Sequence, residues 1–147
     1  MMSIFRQALI AHLKDDSAVA AIVGVKVYGY LAPKKAKTPF LVISRLGAES
    51  VRNLGGQAGH YDESWQVAAY SATDLVAEDL AQAVIASLDL MQPYTMTPDE
   101  GVTTYQVYNS MLDNVGPDIE DWKDDGSNRK TVQKPLTFRI LRSIAAS

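Results

Sequence analysis

The chain has no cysteine, which removes a disulfide framework, a thiolate metal site and a cysteine nucleophile at once. It has two histidines, His12 and His60, so a zinc site would need carboxylates to complete it, a poor donor set for a structural centre. A basic surplus is missing as well. The 14 Lys and Arg stand against 17 Asp and Glu, for a formal net charge of −3 and a sequence pI of about 5.3. Proteins that grip phosphates carry a basic face or helix, so the balance argues against specific nucleic-acid binding. No run reaches the roughly 20 apolar residues that a membrane-spanning helix needs. The opening MMSIFRQALIAHLKDD spaces its apolar residues for one helix face and meets Lys14, Asp15 and Asp16 too early for a secretion signal. These absences lead us to expect a protein made and kept in a cytoplasm, with no membrane contact.

What is present is an ordinary globular balance: 147 residues, 47% hydrophobic and 21% charged, enough for one domain with one real core. Ser3 is placed to cap a first helix whose stripe is Phe5, Leu9, Ile10 and Leu13. A short helical turn through Val19, Ile22 and Val23 follows, capped by Asp16 or Ser17 and stopped by Gly24. Strands are expected over 25–30, 40–46, 61–70, 103–111 and 132–144, the last alternating Leu136, Phe138 and Ile140 with Thr137 and Arg139. Between 61 and 70, Trp65, Val67 and Ala69 share one face. Thr73 and Asp74 cap the longest helix, 75–88, with a stripe of Val76, Leu80, Ala83, Val84 and Leu88. The expected fold class is α+β, a two-layer sandwich. Its mostly antiparallel sheet has about five strands, with the two main helices packed on one face, and residues 1–147 form a single domain.

A search for chemistry returns little. Residues 52–60 read as a glycine-rich loop, but a phosphate cradle needs a helix N-terminus directly behind it, and here a strand follows with no Gly-Lys-Ser/Thr. A hairpin loop is the better reading. The run His60-Tyr61-Asp62-Glu63-Ser64 holds the residue types of a hydrolytic triad. On a strand, though, alternate residues share a face while spreading along it, whereas a triad converges from different elements. His12 reads as a boundary residue beside its apolar stripe. The segment 118–126 fails as a calcium loop, because Lys123 breaks the acidic alternation and Val132 stands where the distal glutamate belongs. No cofactor, metal or catalytic residue is assigned, and no enzyme activity is expected.

Two charged segments remain. Lys34, Lys35 and Lys37 lie in a loop with two prolines, while Asp118, Glu120, Asp121, Asp124 and Asp125 surround Ile119 and Trp122. An aromatic in a polar loop suits a binding surface better than a purely solvated tip. The lysine loop of one copy facing the acidic loop of another is a head-to-tail contact that closes into a ring. The expected contact residues are therefore Lys34, Lys35, Lys37, Arg52, Leu54, Ile119, Glu120, Asp121, Trp122, Asp124 and Asp125.

A family pattern runs through nearly the whole chain: Ala8-Leu9 and Leu13 before Val19, Ile22, Val23 and Gly24; then Val27-Tyr28, Ala32-Pro33 and Pro39-Phe40 with Val42-Ile43-Ser44. It continues through Leu54-Gly55, Gln66-Val67, Ala77, Leu80, Ala81, Val84, Ala86 and Leu88 to Arg129 and Leu136-Thr137-Phe138-Arg139-Ile140. In this the chain resembles the tail-terminator (tail-completion) proteins of long-tailed bacteriophages and prophages. It departs in Phe40, where the family usually has tyrosine, and in a longer acidic segment around Trp122. The resemblance implies a hexameric ring at the head-proximal end of the tail tube, which ends tube polymerisation and docks to the head connector. Its implied partners are further copies of itself, the tube protein and the connector. Its implied location is the host cytoplasm during assembly and the virion tail afterwards. A head–tail joining or other minor tail protein of similar fold is the alternative.

Overall fold

The computed structural model describes residues 4–30, 32–33, 36–53, 56–90, 94–96, 105–116, 118–122 and 130–143. Three helices, α1 (Ile4–Asp15), α2 (Ser17–Val23) and α3 (Asp74–Leu88), accompany seven strands. The strands are β1 (Val27–Gly29), β2 (Phe40–Asn53), β3 (Gly56–Ser71), β4 (Tyr94–Met96), β5 (Tyr105–Val115), β6 (Ile119–Trp122) and β7 (Lys130–Ser143). They form one sheet in the order β1-β2-β3-β7-β5-β4, with β6 on β7. The class is mixed α+β, as the residue pattern indicated.

Local chemistry sets the helix ends. The Asp16 carboxylate accepts from the backbone N–H groups of Ala18 and Val19, satisfying donors that the first turn of α2 leaves open. Gly24 ends that helix at φ +62°, a conformation that costs glycine little. Thr73 caps α3 by accepting from Val76 N–H at 3.3 Å. Ser3, the expected first cap, lies outside the described residues.

The sheet departs from expectation in three ways. Strands β2 and β3 run almost to the turn between them, with Arg52 opposite Gln57 and Asn53 opposite Gly56, so most of the expected glycine-rich loop is hairpin. Glycine is poor in strands, yet a two-stranded ribbon can carry it where little packs on the backbone. Strand β1 is parallel to β2, with Tyr28 opposite Val42. The strand count is also higher: β4 occupies 94–96, and β6 pairs antiparallel to β7 with Glu120 opposite Val132. Strands β5 and β6 follow one another along the same side of β7, broken near Gly116, whose N–H donates to Pro135 O at 2.9 Å. A Cβ on Gly116 would lie 2.7 Å from the Pro135 ring, so only glycine permits that approach.

Register puts Leu41, Ile43, Trp65, Val67, Ala69, Leu136, Phe138 and Ile140 on one sheet face, and all are fully buried. They share a core with Phe5, Leu9 and Leu13 of α1, Val19 and Val23 of α2, and Leu80, Val84 and Leu88 of α3. Phe5 anchors α1, its ring 5.8 Å from Trp65 and 5.2 Å from Tyr105. Each large side chain so buried contributes roughly 1.5–3 kcal/mol. The α3 stripe is rotated from expectation: Ala77 and Ala81 are buried, whereas Val76 and Ala83 are only partly so. Small residues there let the helix approach the sheet closely.

Candidate subunit interface

Charged side chains close both ends of the core face. Towards the β2–β3 hairpin, Glu63 is buried and accepts hydrogen bonds from Arg142 Nε, from Arg45 Nη1 at 3.3 Å and from Trp65 Nε1 at 3.3 Å. The Arg142 guanidinium lies 4.5 Å from the Phe5 ring centre, with Tyr61 and Tyr105 also beside it. A buried carboxylate is tolerable only when ionic and hydrogen-bonding partners replace its water, and here three donors do so.

Eight residues earlier on the same strand face, Lys134 closes the other end. Its ammonium is 2.6 Å from Asp118, 3.2 Å from Asp74 and 3.3 Å from Glu78. These carboxylates, Asp118 foremost, hold the Lys134 pKa above the ordinary lysine value against the opposing effect of burial. The contact ties the first turns of α3 to the junction of β5 and β6. Sequence reasoning missed both clusters. A lysine or glutamate in a strand reads as solvent-facing, and only the parity shared by Glu63 with Trp65, and by Lys134 with Leu136, could have signalled otherwise.

Of the triad-like residues, Asp62 and Glu63 face opposite sides of the strand, as neighbours on a strand do. Asp62 pairs with Arg139 on the opposite sheet face, with contacts at 2.6–3.0 Å, while Glu63 points into the core. His12 Nε2 hydrogen-bonds to the Ser87 carbonyl at 3.2 Å, a boundary role that joins α1 to α3. Among the described residues, no group of three or more His, Asp or Glu is placed to hold a metal ion. Within the same residues, no helix is long and apolar enough to cross a membrane.

The described members of the expected contact set fall beside or on β2 and on β6. Lys37 precedes β2, and its carbonyl accepts from Lys26 Nζ at 3.0 Å. Arg52 stands near the far end of β2. Ile119, Glu120, Asp121 and Trp122 form β6, where Ile119 is 45% exposed. The polar loop expected to carry Ile119 and Trp122 is thus, over residues 119–122, a strand paired with β7. Lys34, Lys35, Leu54, Asp124 and Asp125 lie outside the described residues. In the sheet order, β2 and β6 are separated by β3 and β7.

The fold is similar to a chain of the solved structure titled "Virion of native gene transfer agent (GTA) particle". The match has a TM-score of 0.65 and 15% identity, and covers 98% of this chain and 100% of that one. No curated protein matches significantly. The fold is accordingly that of a chain from a gene transfer agent virion particle. The family is more specific: the description "Tail completion protein gp17" matches residues 7–106, well over half the chain. The chain belongs to the tail completion protein gp17 family and is a structural protein of a phage tail.

Proposed function

We propose that the protein assembles as a ring of identical subunits, a hexamer, at the head-proximal end of the tail tube. There it ends tube polymerisation and offers a docking surface to the head connector. The observation that carries this reading is the family match over residues 7–106. The likeness of fold to a gene transfer agent virion chain over 98% of the sequence supports it. The role requires surfaces and no reacting groups, so the reading assigns no catalysis and no cofactor. Assembly would take place in the host cytoplasm, with the finished ring in the virion tail.

The test is native mass measurement followed by negative-stain imaging, alone and with purified tail tubes. Six-fold rings, free or seated on tube ends, are the expected result. A monomer that never binds tube ends contradicts the reading. A ring that binds the connector and ignores tubes assigns the protein to the neck instead.

A further inference from the structure

Glu63 sits midway, along the strand direction, between two arginines on the neighbouring strands. The pairing puts Arg142 of β7 level with Tyr61 and Arg45 of β2 level with Trp65, two residues to either side of Glu63. Both reach it diagonally. Arg142 Nε donates to Oε1, Arg45 Nη1 donates to Oε2 at 3.3 Å, and Trp65 Nε1 donates to Oε1 at 3.3 Å. Glu63 is 1% exposed and Arg142 8%, so a displacement that separates them leaves an uncompensated buried charge.

The apolar pattern alone does not fix how β3 lies along its neighbours. A slide by one residue turns the core face outwards, but a slide by two returns the same alternation to the same face. Ile43, Trp65, Val67, Leu136, Phe138 and Ile140 occupy successive core-face positions and are all apolar, so a two-residue slide still sets apolar against apolar. The β2–β3 pairing already shifts register between Arg45 and Gly47 and again between Val51 and Arg52, which shows that this ribbon absorbs unpaired residues. The centred carboxylate adds what the pattern lacks. A slide of two residues is about 6.6 Å. It brings Glu63 directly opposite one arginine and carries it four residues, about 13 Å, from the level of the other.

We propose that Glu63, held from opposite directions by Arg45 and Arg142, is a register lock on the central strand β3. The lock belongs to the single copy and goes beyond the ring reading. Only Ala72 and Thr73 separate β3 from α3, so fixing β3 also fixes where that helix lies on the sheet.

The chain has no cysteine, so introduced pairs report register without interference. On the sheet face away from the core, Ser44 of β2 stands opposite Gln66 of β3. Ser44→Cys is combined in turn with Ser64→Cys, Gln66→Cys or Ala68→Cys, and each pair is equilibrated in a glutathione redox buffer. A bridge needs Cα atoms within about 7 Å, so each pair closes in one register. With both arginines present, only the 44/66 bridge is expected. In Arg142→Met, Glu63 keeps Arg45 alone, and the 44/64 bridge should rise to about 1–10% of the protein, the population of a minor state. In Arg45→Ala, Glu63 keeps Arg142 alone, and the 44/68 bridge should rise instead. Circular dichroism checks that each variant is folded. Arg45 is 42% exposed and its loss leaves the buried pair intact, so that variant decides alone if Arg142→Met does not fold. Any other pattern in a folded variant, the 44/66 bridge alone above all, overturns the lock and leaves the cluster a stabilising contact only. Slipped bridges with both arginines present overturn it as well.

Discussion

At the hairpin end of the core face Glu63 and Arg142 are buried together, and at the other end Lys134 is enclosed by Asp74, Glu78 and Asp118. The two rims of the sheet differ in composition: by sequence the segment 26–53, which carries β1 and β2, is basic, and the segment 105–125, which carries β5 and β6, is acidic, with β3 and β7 between them in the sheet order. Charge inside the fold is matched locally because an unmatched buried ion costs several kcal/mol. Charge in these two segments is sorted by sign instead, although Arg45 holds Glu63 and Asp118 holds Lys134. The difference separates what holds the subunit together from what would hold subunits to each other.

That separation can be broken one region at a time, with stability measured on dilute protein at high salt, where subunit contacts are screened. Trp65→Ala should have the largest effect, because the ring is fully buried against Phe5 and donates to Glu63. A loss of about 3–5 kcal/mol is expected, read as a fall in Tm of roughly 10 °C. Arg142→Met should cost about 3 kcal/mol in denaturant unfolding, the low end for a broken buried pair, because Arg45 still faces Glu63. Lys134→Met should cost about 1–2 kcal/mol, since its three partners are half to two-thirds exposed and water can solvate them.

The Lys134 contribution also has a pH signature. Its pKa is raised on folding, so the stabilisation is fully present below the unfolded value near 10.4 and is lost as pH rises through the higher folded value. The gap in stability between wild type and Lys134→Met should stay level from about pH 6 to about pH 10 and close above it. A gap that closes near neutral pH would mean that Lys134 is not held as described. Charge reversal of Lys34, Lys35 and Lys37 to Glu comes last on this scale: it should change unfolding free energy by less than about 0.5 kcal/mol per residue while weakening self-assembly, read by native mass.

Much of the scaffold was legible in the residues. Asp16, Gly24 and Thr73 announced helix ends because capping chemistry is local, and Leu136, Phe138 and Ile140 announced a core strand because alternation is local too. The full length of β2 and β3 was hidden by Gly55, Gly56 and Gly59, whose preference for turns outweighs the weak strand signal of a ribbon. Strand β6 was hidden by its acidic residues, and the enclosure of Lys134 by the distance in sequence between Asp74, Asp118 and β7. The expected contact residues were drawn from two oppositely charged segments. Their placement on opposite rims depends on a seven-strand order with a parallel β1, which no local pattern encodes.

The proposed ring joins copies of this chain, and the two oppositely charged segments are its expected contacts. Hydrogen–deuterium exchange on the assembled ring, compared with dissociated subunits, tests it most directly. The account predicts new protection in residues 26–53 and 105–125 together, with the solvent-facing sides of α1 and α3 unchanged. Protection confined to the helices, with both rims exchanging as in the free subunit, would contradict it.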